Sequence, residues 1–518
     1  MKRLDKDFKF VIVGGGSAGW MAALYIKNYF PETDITVITS SEYGILGAGE
    51  AVAPDIFDFL SEVQIPAHHF ITATKATIKN EGLFTNWNGD GKTYRSPVGQ
   101  NAYGYQFAGD MHTGRSMFEL DYIAQGKNLD ELHLATLLTK RGKVPFVASD
   151  QTPITEIGMH MDANLGAKFL KETALKRNIK LIDSKVVDFD TDEENVLTQV
   201  ILEDGTKIPC DFVFDCSGFR KLIIGNYYKS EWVSYQKYLP VNRAIPFFEQ
   251  HSGTNVRCYT EAIAMKYGWM WKTPVQDRYG YGYVFDSRFI SENQAKQEVD
   301  EYMGYEVVSP QTFRFDPGSF KTPWVNNCIA LGLSAGFIEP LEGTAIFSTL
   351  VSLRNFVERI TYITLGDKKV IEKYNGIIGT LNKSFLEFLQ FHYITKRKDT
   401  EFWRDFKTNN ELLPIVQEIV DTAEYTVPNR GIFGKVHGLI PTHYWYIVGA
   451  GLEVWNPEAA KKLFDSYYQG KRGILYEAQK KEQLFKIQKN IIPMMTHDKF
   501  LEELANLSKL GYKRSGLG

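Results

Sequence analysis

The apolar positions of the first forty residues change period twice. Residues 8–15, FKFVIVGG, form a continuous apolar run closed by glycines, as in a strand buried on both faces. Residues 17–30, SAGWMAALYIKNYF, carry a helical pattern, and residues 34–39, DITVIT, return to a strand. Strand, helix and strand in this order make the unit that begins a parallel sheet.

Residues 158–220 read as a second block of the same layer. HMDANLGAKFLKETALKRNI is an amphipathic helix and KLIDSKVVDFD a strand. VLTQVILEDGTKIPC is a hairpin turning at Asp204 and Gly205, and DFVFDCSG a buried strand ending in a glycine turn. The pattern then changes, because GWMWKT and YGYGYVFD, joined by PVQDR, alternate with period two and predict an antiparallel hairpin. Its first arm puts Trp269 and Trp271 on one face. Its second puts Tyr279, Tyr281, Tyr283 and Phe285 on one face and Gly280 and Gly282 on the other, so an aromatic face is expected to confront something flat. From about Asn355 onward the pattern is helical, with aromatic clusters in FHYITKRKDTEFWRDF and THYWYIVGAGLEVW. The expected division is residues 1–235 with 320–375 as one module, 236–319 as an antiparallel lobe, and 376–518 as a helical cap.

Composition narrows the functional classes. A chain of 518 residues exceeds one compact core, and 44% hydrophobic with 23% charged residues is that of an ordinary globular protein. A formal charge of −3 gives no basic excess, so a nucleic-acid partner is not expected. The four cysteines show neither CxxC pairing nor metal-ligand spacing with the 10 histidines, which predicts buried thiols in a reducing compartment and no metal. No apolar stretch approaches the ~18 residues of a membrane span, and the N-terminus is charged, so a cytoplasmic protein without an anchor is expected. Aromatic residues at 14% suit a protein that packs or handles flat rings.

Two stretches carry candidate chemistry. In GGGSAG, Gly14, Gly16 and Gly19 fit GxGxxG between a strand and a helix, where glycines allow a tight turn and the free amides of the helix N-terminus can hold a pyrophosphate. The acid that should follow at the end of the second strand, to hold a ribose, is replaced by Thr39, which leaves Glu42 as the nearest substitute. In NCIALGLSAGFIEPLEGTAIFSTLVSL, Pro340, Glu342 and Gly343 precede a helix starting near Thr344. The amides of Thr344 and Ala345 would there form a second anion site, or simply an ordinary helix end. Taken alone, Lys79 in TKATIKNEGLFTNWN reads as a solvated lysine and Glu342 as a helix N-terminal charge. Two tryptophans on one strand face likewise read as core packing.

Together the motifs say more. GGGSAGWMAA, GAGEAVAP, the Lys79 stretch with its NW, DCSGFR, GWMWKTPV, GFIEPLEGTAI and FHYITKRKDTEFWR occur in the order found in flavin-dependent halogenases of the tryptophan-halogenase family, which the chain resembles over nearly its whole length. The resemblance implies an α/β fold: a Rossmann-like, GR2-type monooxygenase-like FAD-binding domain with an antiparallel-sheet substrate lobe and a helical C-terminal cap. It implies FADH2, delivered by a separate NAD(P)H flavin reductase, used with O2 to oxidise chloride, bromide or iodide to hypohalous acid. That acid passes through an internal tunnel to a lysine, matched by Lys79, which halogenates a small electron-rich aromatic such as tryptophan, another indole or a phenol. Glu342 matches the partnering acid, and Lys79 and Glu342 are therefore expected to share one cavity. Cofactor contacts are expected at Gly14, Gly16, Ser17, Ala18, Gly19, Glu42, Ala48, Glu50, Asp215, Gly332 and Ile346. Halide contacts fall on Thr344 and Ala345, and Trp269 with Trp271 match a wall between flavin and substrate. Trp445, Trp455, Tyr103 and Tyr444 are substrate-side candidates by location alone, and a homo-oligomer is compatible with the sequence.

The departures bear on specificity. Glu342-Gly343-Thr344-Ala345 stands where well-known members have Glu-Ser-Thr-Gly, which removes a hydroxyl, adds a methyl and suggests a larger halide, bromide or iodide. Thr273 stands in place of the isoleucine of Trp-x-Trp-x-Ile-Pro. The rival readings are a flavin-dependent aromatic hydroxylase, served equally by the glycine loop, and a flavin-binding module without catalysis.

Overall fold

The computed structural model describes residues 4, 6–44, 50–99, 117–147, 153–309, 311–360, 367–433, 440–467 and 471–509. The predicted opening unit forms as Lys9–Val13, the helix Ser17–Tyr29 and Asp34–Thr39, and the two strands pair in parallel with Val11 beside Thr36. It sits inside a six-stranded sheet in the order Trp324–Val325, Cys328–Ala330, Phe212–Asp215, Lys9–Val13, Asp34–Thr39, Lys180–Asp183. All neighbours are parallel except the short edge strand Trp324–Val325. One face of this sheet, carrying Phe10, Ile12, Phe212 and Phe214, packs on helices Ser17–Tyr29, Ala163–Lys176 and Thr344–Ile360. The other, with Val11, Val13 and Val213, meets the three-stranded sheet of Val186–Thr191, Leu197–Leu202 and Lys207–Pro209 through Leu197, Val200 and Leu202. Burial on both sides is why these strands read as unbroken apolar runs. The run KLIDSKVVDFD, expected as one strand, divides: Lys180–Asp183 joins the parallel sheet and Val186–Thr191 the small one.

The second sheet has seven strands in the order Phe313–Arg314, Arg243–Gln250, Arg278–Phe285, Gly268–Pro274, Tyr259–Ala264, Glu81–Thr85, Thr93–Pro97. The predicted hairpin is its centre, with Trp271 opposite Gly282 and Trp269 opposite Val284. Two corrections to the expected division follow. Strands Glu81–Thr85 and Thr93–Pro97 come from inside the 1–235 segment, and the helix Lys368–His392 runs unbroken through the expected boundary at 375.

The aromatic face of the hairpin also needs correcting. Tyr281, Tyr283 and Phe285 are buried with Met270 beneath Ala295 and Val299 of the helix Glu292–Met303, so that face confronts a helix and not a ligand. The opposite face is the one that looks into a cavity. The C-terminal helices Lys368–His392, Glu401–Asn409, Pro414–Ala423 and Thr442–Gly451 share a second core with Phe84, Trp87 and Trp269. All four cysteines are free and buried. Among the described residues no helix is long and apolar enough to cross a membrane, and no group of three or more His, Cys, Asp or Glu could hold a metal ion.

Candidate active site

A cavity of about 910 Å³ lies between the two sheets, lined by the glycine loop on one side and the hairpin on the other. Gly14 has φ +122°, and a Cβ there would fall 2.1 Å from the carbonyl oxygen of Cys216; one at Gly19 would fall 1.9 Å from the oxygen of Gly14. These two glycines are demanded by the protein's own backbone. At Gly16, by contrast, a Cβ would meet nothing within 4 Å, because open cavity lies in front of it. Gly16 caps the helix Ser17–Tyr29 without a side-chain hydrogen bond, and no acid stands in the first turn. The partial positive charge of that helix end therefore faces the cavity uncompensated, which fits a pyrophosphate. Space and chemistry together fit a flavin dinucleotide.

Most predicted cofactor residues line this cavity: Gly14, Gly16, Ser17, Ala18, Glu42, Gly332 and Ile346. Thr344 and Ala345, the expected halide amides, line it as well, at the start of the helix Thr344–Ile360 after Gly343 at φ +62°. Glu42 is exposed and pairs with Lys185 at 2.5 Å, both at the rim. Gly19 lies beneath the loop. Asp215 is placed differently from expectation. Fully buried, it accepts at Oδ1 from the Ser217 amide (3.1 Å) and hydroxyl (2.5 Å), and at Oδ2 from the amides of Ile223 (2.8 Å) and Ile224 (3.0 Å). Its oxygens are committed to shaping the turn after the strand, and it does not line the cavity. Ala48 lies outside the described residues, and Glu50 opens the strand Glu50–Val52.

Trp269, Trp271 and Thr273 share one strand face and all line the cavity. Alternation alone put them together; what fixes each is different. The Trp271 ring lies over Gly282, where a Cβ would stand 2.0 Å from the indole, and its Nε1 is buried without a partner. Trp269, 1% exposed, donates its Nε1–H to Oε1 of Glu339 at 2.6 Å. Tyr393 donates its hydroxyl to the same oxygen at 2.6 Å, while Oε2 of Glu339 has no partner. Burial pushes the Glu339 carboxyl up to about 7, against the opposing donors Tyr393 and Trp269 and the charge of His392.

Lys79 and Glu342 do not line this cavity, although Leu341 and Gly343, on either side of Glu342, do. Lys79 ends the buried strand Thr77–Lys79, pairs with Gly158 and is 9% exposed; its stem lies 3.5 Å from where a Cβ on Gly158 would stand. Burial lowers the Lys79 pKa and the nearby Glu342 charge opposes that shift. The expected pair, 79 and 342, is thus brought within electrostatic reach, with no ion pair joining them among the described residues. Glu342 Oε1 stands 2.9 Å from Nε2 of His392, in contact but off a hydrogen-bond line. His392 Nδ1 sits 2.8 Å from the Phe388 carbonyl, which can only accept, so Nδ1 carries the proton. Nε2 therefore forms an ion pair with Glu342 only when the ring holds a second proton. Burial and the Glu342 charge also raise the phenols of Tyr94 and Tyr444, which places both rings near the same carboxylate. The Tyr94 hydroxyl is buried with no partner.

Of the other aromatic candidates, Trp445 and Trp455 are core residues, packed on Phe391 at 5.2 and 5.9 Å between ring centres. Tyr444 accepts the Gly99 amide at 3.0 Å, and Tyr103 lies outside the described residues. Glu339, His392 and Tyr393 were not singled out in the sequence, and Gly282 was placed on a face without being seen as the seat of Trp271. A carboxylate inside the apolar run GFIEPLEG was the one signal that could have pointed to Glu339.

Comparison with known proteins gives the chain a family. The family model described as tryptophan halogenase matches residues 9–468. The chain is 30% identical over 488 residues, 87% of this chain and 92% of the relative, to the 7-chloro-L-tryptophan 6-halogenase KtzR of Kutzneria sp. (strain 744). It is 29% identical over 487 residues, 88% and 92%, to the tryptophan 6-halogenase SttH of Streptomyces toxytricini. Among solved structures, Tar14, a tryptophan C-6 flavin-dependent halogenase from taromycin biosynthesis, superposes with a TM-score of 0.83 at 26% identity over 96% of this chain and 100% of that one. With the family model covering nearly its whole length and relatives matched from end to end, the chain belongs to the tryptophan halogenase family of flavin-dependent enzymes.

Proposed function

We propose that this enzyme halogenates an electron-rich aromatic, an indole such as tryptophan in the first instance, through Lys79 and Glu342. One observation supports the reading: Lys79, buried at the end of its strand, lies within electrostatic reach of Glu342, and neither lines the dinucleotide-sized cavity that Trp269 and Trp271 border. When bound, reduced FAD with O2 supplies the two-electron oxidation of halide to hypohalous acid, and a separate flavin reductase supplies the reduced flavin. Thr344 and Ala345 offer helix-end amides to the halide. Lys79 as an ammonium donates a hydrogen bond to the oxygen of hypohalous acid; as an amine it takes up the halogen and releases water. Burial shifts it toward the amine. The ring then gains halogen and loses its proton to Glu342, with His392 beside that carboxylate.

The names of KtzR and SttH support tryptophan as the first substrate to try, and the methyl of Ala345 beside the amides supports bromide or iodide over chloride. The test supplies reduced FAD, O2 and each halide to the enzyme with tryptophan, other indoles and phenols, and weighs the products. Halogenated product, most with bromide or iodide, is expected. Hydroxylated product would make the chain an aromatic hydroxylase, and chloride used at least as well as bromide would remove the halide preference.

A further inference from the structure

We propose that Glu339 is a positioning residue of this reaction: with Tyr393 it pins the indole of Trp269 beside the cavity and so keeps oxidant made there on its route to Lys79 instead of leaking to solvent around a loose ring. The inference rests on the halogenase reading above for the oxidant, and on geometry for the pin. Three separate elements meet at one oxygen. Trp269 arrives from the strand Gly268–Pro274, Tyr393 from the end of the helix Lys368–His392, and Glu339 from the segment that leads into the turn Pro340–Glu342.

A wall that needed only bulk would need no carboxylate. Packing already surrounds this indole, with Trp87 at 6.5 Å and Trp271 at 6.2 Å between ring centres, and an apolar residue at position 339 would avoid the cost of burying a carboxyl. Glu339 is nonetheless 2% exposed, lines the cavity and accepts from both Trp269 and Tyr393 on a single oxygen. A hydrogen bond to the indole nitrogen adds what packing does not: it fixes the rotation of the ring about its own bond. The neighbouring Trp271, whose nitrogen has no partner among the described residues, is seated by its contact with Gly282. Three residues after Glu339, Glu342 leaves the cavity lining and approaches His392, the residue before Tyr393, at 2.9 Å. One short turn and one helix end therefore set a wall carboxylate and a reaction carboxylate side by side.

The test compares wild type with Glu339→Leu, Glu339→Gln and Tyr393→Phe. Protein labelled with ¹⁵N in its indoles, without flavin or halide, reports the Trp269 Nε1–H, assigned through Trp269→Phe. Glu339→Leu is expected to shift this resonance and speed its exchange at least about tenfold; Glu339→Gln, which keeps an acceptor oxygen, restores most of the protection, and Tyr393→Phe lies between. The second measurement supplies reduced FAD, O2 and bromide with tryptophan as acceptor and monochlorodimedone as external scavenger. Glu339→Leu is expected to lower the ratio of brominated tryptophan to brominated scavenger about fivefold, read as a ratio so that any change in total oxidant cancels, with Glu339→Gln largely rescuing it. An unmoved indole resonance in folded Glu339→Leu and Tyr393→Phe overturns the pin, and a moved resonance with an unchanged ratio overturns its role in retention. Wild type that brominates neither compound refutes the halogenase reading instead, and with it retention, while the indole resonance still decides the pin.

Discussion

Trp271 lies over Gly282 so closely that a single methyl group there would stand 2.0 Å from its ring. The pair is directly opposed across the hairpin, and the missing side chain is the seat of the indole. Gly282→Ala is therefore expected to push the ring into the flavin cavity. Overpacking of this kind costs about 1–3 kcal/mol. A lower melting temperature and weaker FAD binding in a fluorescence titration would confirm it, and an unchanged FAD affinity would show that the ring yields elsewhere.

Gly14→Ala should act on the other side of the same cavity. Its φ of +122° and the 2.1 Å approach to the Cys216 oxygen leave no room for a Cβ. The loop must move to accept it, so FAD affinity falls at least about tenfold, roughly 1.4 kcal/mol, while Gly16→Ala, facing open space, folds normally and loses affinity only by intruding on the ligand. Equal thermal stability of the two variants would contradict this division.

Lys79→Ala and Glu342→Gln are expected to lower halogenated product by about 10²–10⁴, the usual range for removing a proton-handling group. Under the proposed function oxidant forms at the flavin, apart from Lys79 and Glu342, so halogen should then appear on an external scavenger. Product and scavenger falling together would move Lys79 or Glu342 to the flavin side.

Glu339 gives a pH signature of its own. Its folded-state pKa, raised from 4.5 to about 7, means the folded protein holds this proton more tightly than the unfolded chain. Stability from this group is full below pH 4.5 and is lost as pH rises to about 7, on the order of 3 kcal/mol at about 1.4 per pKa unit. Glu339→Gln removes that loss, so the melting temperature of the variant relative to wild type should rise between pH 5 and pH 8. A constant difference would mean Glu339 does not titrate in this range.

What was legible in the sequence follows a physical line. The opening strand, glycine loop and helix were readable because their constraints are local: a turn too tight for a Cβ and a run buried on both faces. Alternation showed which hairpin residues share a face, yet not which face meets the core, and so the tyrosine face was assigned to a ligand when the glycine face holds that place. Asp215 looked like a ligand because an acid at a strand end often is one; its lone pairs go instead to amides eight and nine residues on, which no spacing rule announces. Glu339 was passed over for the converse reason. Its partners, Trp269 and Tyr393, lie on other elements, and only folding brings their donors to one oxygen.

The helix Lys368–His392 has a consequence for anyone rebuilding this enzyme. Ile378 and Asn382, in its middle, line the flavin cavity, and its last residue with the next one grips the two glutamates. The cavity beside the glycine loop and the two glutamates therefore hang from one rod. A chimera that exchanges the C-terminal cap for that of a relative carries along half of the catalytic scaffold if its junction falls before Tyr393. A junction just after Tyr393 leaves the scaffold whole and makes the outer cap an interchangeable part.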